Sequence, residues 1–336
     1  MTTPTYREVH LVARPHGALT DDLFRIAELP IPEPAPGQVL VRNTVMAVAA
    51  VMRTLMNEID TPGVRFQSYE LGAPPHGPAV GEVVAAPGTA LAPGDLVSHR
   101  QGWREYSLVA EADARRLEPG ALPDPAAYLA QGATAWMGVV RGAEVRDGDT
   151  VFVSGAAGGV GTLAGQAARL RGAARLIGST STKAKADYLT AELGYDAVVL
   201  RGTAPIEEQL RAAAPDGIDA VIDNVGGEQL EAAIAVARRR ARIAVVGALS
   251  SQLSDAAPQK TGVDTLSLVS RGITLRGVAL FDHFDIAPEW YHVFAAGLRD
   301  GTLKFPHARL KGIDQAPRAL RELVEGRHIG AVVVDL

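Results

Sequence analysis

Residues 150–172, TVFVSGAAGGVGTLAGQAARLRG, constrain this chain more than any other stretch. Val151, Phe152 and Val153 form a short apolar run of strand formers, long enough to cross a buried parallel sheet. Gly155, Gly158, Gly159 and Gly161 follow at once. Leu163, Ala164, Ala167, Ala168 and Leu170 then recur at helical spacing. The spacing predicts strand, tight turn, helix. Small residues at such a turn let the helix sit close on the strand. They also leave the amides and positive end of the helix open to an anion.

The strict turn for a dinucleotide is G-x-G-x-x-G. Here Ala156 stands at the first glycine, followed by Gly158 and Gly161. A strand and helix packed closely for structure alone is the competing reading of this motif taken by itself.

The rest of the chain frames the motif. Residues 1–123 read as β-rich, with candidate strands at 38–45, 79–86, 95–99 and 104–109 between Pro- and Gly-rich turns. Frequent short strands suggest a partly closed barrel. The pattern changes near residue 124. A helix is predicted over 125–141. Strands at 151–154, 175–178, 197–200, 220–223, 243–247 and 274–280 then alternate with helices at 159–171, 183–193, 206–213 and 228–239. Such alternation predicts an α/β unit with a doubly wound parallel sheet, whose ligands lie beyond the carboxyl ends of the strands. A helix over 288–299 closes that unit. The tail, with an extended run at 305–310, a helix capped by Asp314 and running through Glu325, and a strand at 331–334, is expected to return to the first domain. The expected division is 1–123 with 300–336 as the substrate domain and 124–299 as the nucleotide domain. The polar stretch 250–262 reads as a candidate lid.

Composition narrows the function. At 336 residues, 47% hydrophobic and 21% charged, the chain has room for two ordinary globular cores. A net charge of −5 argues against nucleic acid or an anionic membrane as partner. No apolar run approaches the roughly 20 residues of a membrane span. The opening MTTPTYREVH has no signal-type apolar segment, so a cytoplasmic location is expected. The chain contains no cysteine, which excludes disulfides, thiol nucleophiles and cysteine-held zinc. No H-E-x-x-H run suggests a metal site, and Ser154 lacks the G-x-S-x-G context of a hydrolase nucleophile. His10, His16, His76, His99, His292 and His307 are scattered and read as surface or structural.

A nucleotide domain selects its coenzyme at the end of the second strand, where an acid favours free ribose hydroxyls. Here the segment is Ser179-Thr180-Ser181-Thr182-Lys183-Ala184-Lys185, without an acid. Hydroxyls and two lysines suit a 2′-phosphate, with Arg201 at the end of the third strand as a further cation. That points to NADPH. Two solvated lysines in a first helical turn are the alternative.

At this point a family resemblance is carried by ordered motifs. Gly94-Asp95, Trp103-Arg104-Glu105-Tyr106, Gly132-Ala133-Thr134-Ala135-Trp136, Ser154–Gly161, Leu193-Gly194-Tyr195-Asp196 and Ile222-Asp223-Asn224-Val225-Gly226-Gly227 stand in sequence. The chain resembles the zinc-free medium-chain dehydrogenase/reductases, in the branch of leukotriene B4 12-hydroxydehydrogenase, or prostaglandin reductase. The similarity runs nearly end to end. It departs where Ala49-Ala50 replace an Asp-Pro pair before Met52-Arg53.

The resemblance implies a GroES-like domain plus a Rossmann domain, a homodimer, and NADPH-dependent reduction of the carbon–carbon double bond of enones and alkenals. It implies pyrophosphate contacts at Gly158, Gly159, Val160, Gly161 and Thr162, a 2′-phosphate contact at Lys185 with Arg201 standing in place of the family's usual tyrosine, and a path to the nicotinamide past Asn224, Val246 and Gly247; Thr134, Ser179 and Phe281 are further cofactor-binding candidates. His328 stands where the family has a cofactor-binding asparagine. For Asn224 a plain turn role is the alternative. The run 277–283, GVALFDH, lacks the family's tyrosine. His283 is therefore the candidate proton or hydrogen-bond donor, with a surface histidine beside Asp282 as the alternative. Tyr69 is the second catalytic candidate, and Met52 and Phe281 are pocket walls. Rival readings are a quinone reductase of the same superfamily, a reductase devoted to one secondary metabolite, and a non-catalytic NADPH-binding protein.

Overall fold

The computed structural model describes residues 4–59, 67–252 and 260–336. Part of the candidate lid, 253–259, lies outside the described residues, as do 60–66 ahead of Tyr69.

In chain order, β1 (Thr5–Leu11) and β2 (Phe24–Pro30) pair as an antiparallel ribbon. The ribbon escapes the sequence reading because β2 carries charges and is exposed along most of its length. Then come β3 (Gln38–Val48), α1 (Val51–Leu55), β4 (Ala79–Ala85), β5 (Leu96–His99), β6 (Tyr106–Ala110) and β7 (Arg115–Arg116). A 3₁₀ turn at Pro125–Leu129, α2 (Gly132–Met137) and a π-helical turn at Gly138–Gly142 replace the single helix expected over 125–141. Asp124 caps the first of these pieces, its side chain accepting from the Ala126 amide.

The alternating part follows: β8 (Thr150–Val153), α3 (Gly159–Leu170), β9 (Arg175–Thr180), α4 (Lys183–Leu193), β10 (Ala197–Leu200), α5 (Ile206–Ala213), β11 (Ile218–Asp223), α6 (Gly227–Val236), β12 (Ala237–Val245), α7 (Leu249–Gln252), α8 (Thr265–Arg271), β13 (Thr274–Gly277) and α9 (Ala287–Asp300). The last elements are β14 (His307–Lys311), α10 (Ala316–Val324) and β15 (Ala331–Asp335). Two further expectations fail locally. The helix expected over 228–239 ends at Val236, and Ala237–Val245 is strand. The Arg271 guanidinium donates to the carbonyls of Ile234, Ala235 and Ala237, satisfying the freed helix end from 34–37 residues away. Asp314 does not cap α10. It lies in a 3₁₀ turn, and Gln315, at the cap position, makes no side-chain cap bond.

The described chain forms two compact units. One comprises the residues up to Ala130 with His307–Arg327 and Ala331–Leu336. Its larger sheet runs β14-β15-β3-β4-β5-β7, with β6 also on β3. The tail strand β15 pairs antiparallel with β3. Val9, Leu11, Met46, Met52, Trp103, Leu320 and Val334 belong to its core.

This unit also buries a polar network. The Gln101 amide donates to His99 Nδ1 (3.0 Å), so His99 carries its proton on Nε2 and donates to Asn43 Oδ1 (2.9 Å). Asn43 Nδ2 lies 2.8 Å from both the Arg104 carbonyl and Ser107 Oγ. Burial, with Arg104 nearby as a smaller cause, pulls the His99 pKa down to about 4. Folded His99 therefore stays neutral between pH 6.5 and 4, where unfolded His99 binds a proton. Its contribution is full above pH 6.5 and is lost as pH falls towards 4. Stability at pH 5 should be about 2 kcal/mol below that at pH 7.5 from this group. Urea unfolding at the two pH values checks it. His99→Gln should flatten the difference, and an unchanged difference in that variant would contradict the assignment.

The second unit comprises Gln131–Pro306 and His328–Gly330. Its six strands run in the order β10-β9-β8-β11-β12-β13, all parallel, which is the doubly wound sheet expected. Phe152, Ile177, Val199, Leu210, Val221 and Ile243 form part of its core. Parallel strands place their carboxyl ends along one margin. Residues far apart in sequence therefore meet there.

Candidate active site

The turn after β8 is closed by backbone bonds. The Gly158 amide donates to the Gly155 carbonyl (3.0 Å), and the Ala156 amide to the Ser179 carbonyl (2.9 Å). Gly155 takes a positive φ of 59°. Helix α3 starts immediately, with Gly158 as its cap residue and no side chain closing that end. Gly158 is exposed, and Gly159 and Val160 are partly so. The first amides of a helix have no acceptor within it, and they carry its positive dipole end. Gly161 and Thr162 are buried beneath them. The tail segment reaches the same turn: Gly330 pairs with Gly158, and its amide donates to the Ala157 carbonyl (2.8 Å). His328 lies two residues before Gly330, the residue that pairs with the turn.

Ser179, at the end of β9, differs from its expected role. It is buried. Its hydroxyl accepts from the Gly155 amide (2.9 Å) and donates to Gln229 Oε1. It shapes the turn, and no hydroxyl hydrogen is left for a ligand. Lys185 and Arg201 do come together. Lys185 lies in the first turn of α4, and Arg201 directly follows β10. Lys185 is only 9% exposed, and burial followed by the charge of Arg201 lowers its pKa. Two cations held close, one of them desolvated, make a receptor for a multiply charged anion.

At the end of β11, Asn224 Nδ2 donates to the Ser154 carbonyl (2.8 Å), which fixes the other amide atom as an acceptor. That atom, Asn224 Oδ1, is buried without a hydrogen-bond partner among the described residues. A buried acceptor left open is unusual and marks a place for a donor. Val246 and Gly247 follow β12, both amides donating to the Asp223 carbonyl (2.8 and 3.2 Å). The margin formed by the glycine turn, the two cations and Asn224 fits a phosphorylated dinucleotide on these observations.

The remaining candidates are placed as follows. Thr134 is partly exposed on α2. Phe281 lies in a 3₁₀ turn, Leu280–Asp282, just beyond β13. His283 follows it, with Nδ1 3.4 Å from an Arg141 guanidinium nitrogen. Arg141 forks onto Asp285 (2.9 and 2.6 Å). Arginine only donates, so Nδ1 accepts and the neutral ring keeps its proton on Nε2. Tyr69 belongs to the other unit and is 3% exposed. Its hydroxyl donates to the His76 carbonyl (2.8 Å), and burial raises its pKa far above the usual range. A phenol proton so held makes Tyr69 a packed aromatic and a poor acid. Met52 is a core residue of the same unit. Sequence reasoning missed Asp223, Ser154, Gln229 and Tyr195 as shapers of the margin.

A strand-rich unit joined in one chain to a doubly wound unit with these strand ends defines a two-domain dinucleotide-dependent dehydrogenase. Comparison with known proteins agrees. Residues 7–117 match the family profile described as the N-terminal domain of oxidoreductase, and 159–296 match the one described as zinc-binding dehydrogenase. YfmJ of Bacillus subtilis is 32% identical over 99% of this chain and 98% of its own. An NADP(+)-dependent 2-alkenal reductase of Nicotiana tabacum is 31% identical over 91% of this chain and 89% of its own. The crystal structure of CurA from Vibrio vulnificus in complex with NADPH superposes with a TM-score of 0.88 at 27% identity, covering 98% of each chain. This chain belongs to the zinc-free double-bond reductases of the medium-chain dehydrogenase/reductase family, which are NADP-dependent oxidoreductases. Among the described residues no group of three or more His, Asp or Glu is placed to hold a metal. No helix among them is long and apolar enough to cross a membrane.

Proposed function

We propose that this chain uses NADPH to reduce the carbon–carbon double bond of α,β-unsaturated ketones and aldehydes. The observation that carries the coenzyme is Lys185, in the first turn of α4, paired with Arg201, just after β10, where β9 and β10 end without an acid. The likeness to the tobacco 2-alkenal reductase supports the acceptor class.

When bound, the coenzyme would supply the hydride that the β-carbon of the enone accepts. The chain's own residues bind and orient. The open amides of α3 would hold the diphosphate, and Lys185 with Arg201 would hold the 2′-phosphate. Asn224 Oδ1, the open acceptor at the margin, would take a hydrogen bond from the nicotinamide half. Negative charge develops on the substrate carbonyl oxygen, and a donor aimed there lowers the barrier. His283 Nε2–H is that donor, and Arg141 fixes its tautomer. Water then protonates the α-carbon, giving the saturated carbonyl.

The test is to incubate the protein with NADPH and a trans-2-alkenal or simple enone. Reduced-nicotinamide absorbance should fall while the saturated carbonyl accumulates. Consumption with quinones alone, giving quinol, would replace this reading with the quinone one. Tight NADPH binding with no hydride transfer to any acceptor would overturn catalysis altogether.

The proposal extends to a homodimer. β13 ends the sheet, and its four residues are exposed. Leu266 and Val269 on neighbouring α8 are 74% and 80% exposed. An identical edge from a second copy would pair the open strand and cover these side chains. A monomer mass at micromolar concentration in sedimentation would refute it.

A further inference from the structure

We infer that Ser154 and Asp223 are positioning residues that set the Asn224 amide for the coenzyme, an inference resting on the reading of Asn224 as a contact to its nicotinamide half. The arrangement joins the carboxyl ends of two neighbouring strands, β8 and β11. Ser154 grips Asn224 twice. Its hydroxyl accepts from the Asn224 amide (2.8 Å), and its carbonyl accepts from Asn224 Nδ2 (2.8 Å). The same hydroxyl donates to Asp223 Oδ1 (2.7 Å). The Asp223 carboxylate also takes the amides of Gly226 (2.9 Å) and Val225 (3.4 Å). Ser154 and Asp223 are both fully buried.

Each contact has one direction. The serine hydroxyl has a single hydrogen, and Asp223 takes it. Its lone pairs are then left for the Asn224 amide. Asn224 Nδ2 is engaged by the Ser154 carbonyl, so only Oδ1 remains. That atom is the orphan acceptor at the strand margin. A freely rotating asparagine would present oxygen or nitrogen at random, whereas this one presents oxygen. A buried carboxylate is an expensive way to hold a loop unless the loop's orientation matters. Here the carboxylate holds the two amides that follow Asn224 and the hydroxyl that precedes it in the network.

The experiment uses the full chain and two probes, NADPH and 2′,5′-ADP, the latter representing the adenosine half alone. Dissociation constants are measured for Ser154→Ala, Asp223→Asn, Asn224→Ala and the Ser154→Ala/Asn224→Ala double variant, with thermal unfolding alongside. Asn224→Ala should weaken NADPH about tenfold, and Ser154→Ala about fivefold. The double variant should lose within about twofold of Asn224→Ala alone, because Ser154 acts through Asn224. Binding of 2′,5′-ADP should change less than about twofold in all of these, a selectivity that general loosening of the unit would not produce. Asp223→Asn gives a second route to the same readout if Ser154→Ala unfolds. Multiplicative losses in the double variant, or an unchanged NADPH affinity in both Ser154→Ala and Asp223→Asn, would overturn the inference and leave the Asn224 contact standing. An unchanged affinity in Asn224→Ala would remove that contact and the inference with it.

Discussion

Lys185→Ala should lower kcat/KM for NADPH by roughly 30- to 100-fold, while kcat/KM for NADH moves less than about threefold. The magnitude follows from losing a charge-assisted bond to a phosphate dianion, about 2–3 kcal/mol. Three sources of positive potential converge on this point: Lys185, Arg201 and the amino end of α4. Lys185 is the desolvated member of the cation pair. Its interaction with an anion is therefore screened least by water and salt. Arg201 is exposed, so Arg201→Ala should cost less, about tenfold. The coenzyme comparison decides the cause. An equal loss with NADH and NADPH would show that Lys185 supports α4 and does not read the phosphate. A loss confined to NADPH fixes the adenosine end of the coenzyme at the ends of β9 and β10. That in turn fixes which end of the α3 turn faces the nicotinamide.

What the sequence displays and what it hides divide along a physical line. The strand Val151–Val153, the glycine turn and α3 are legible because each is decided by neighbours within about four residues. The cations at Lys185 and Arg201 are legible for a related reason: strand ends in a parallel sheet share one margin, so their contents can be read together. The end of α6 is not legible. Arg238, Arg239 and Arg240 would suit an exposed helix as well as a strand. The deciding partners are Ile218, which pairs with Ala237, and Arg271, which donates to the freed carbonyls. The break before α2 is similar. A Cβ on Gly132 would fall on the Trp290 ring, 158 residues away, so α2 is seated by a contact that no local pattern shows. Ser179 reads locally as a free hydroxyl, but its proton goes to Gln229 on α6. Polar side chains at a sheet margin look alike in sequence whether they face ligand or protein. Only the three-dimensional partner list separates them.

Gly161→Ala should destabilise the protein by about 3 kcal/mol and abolish measurable NADPH binding at micromolar protein. On helix propensity alone the substitution would stabilise α3 by up to about 1 kcal/mol. The close packing of α3 on the turn reverses that sign. A methyl at Gly161 would lie 2.6 Å from Ala156 Cα and 2.8 Å from its carbonyl carbon, and closer still to the Gly155 oxygen. These are backbone atoms, and they are tied to β9 through the Ser179 hydroxyl and carbonyl. They cannot rotate away as a side chain would. Relief requires α3 to move off the turn, which strains the Tyr195 hydroxyl bond to the Gly161 carbonyl (3.0 Å) and the burial of Leu163, Ala164 and Ala167. Overpacking of this kind costs about 1–3 kcal/mol, more when backbone must shift. Gly158→Ala is the control. Its nearest non-neighbour atom would be the Gly155 oxygen at 3.4 Å, and its φ of −83° suits any residue. That variant should keep its stability within about 0.5 kcal/mol of the parent. Urea unfolding and NADPH titration of the two variants side by side test the point. A Gly161→Ala protein as stable as Gly158→Ala, with NADPH affinity intact, would mean that α3 does not need this approach to the turn.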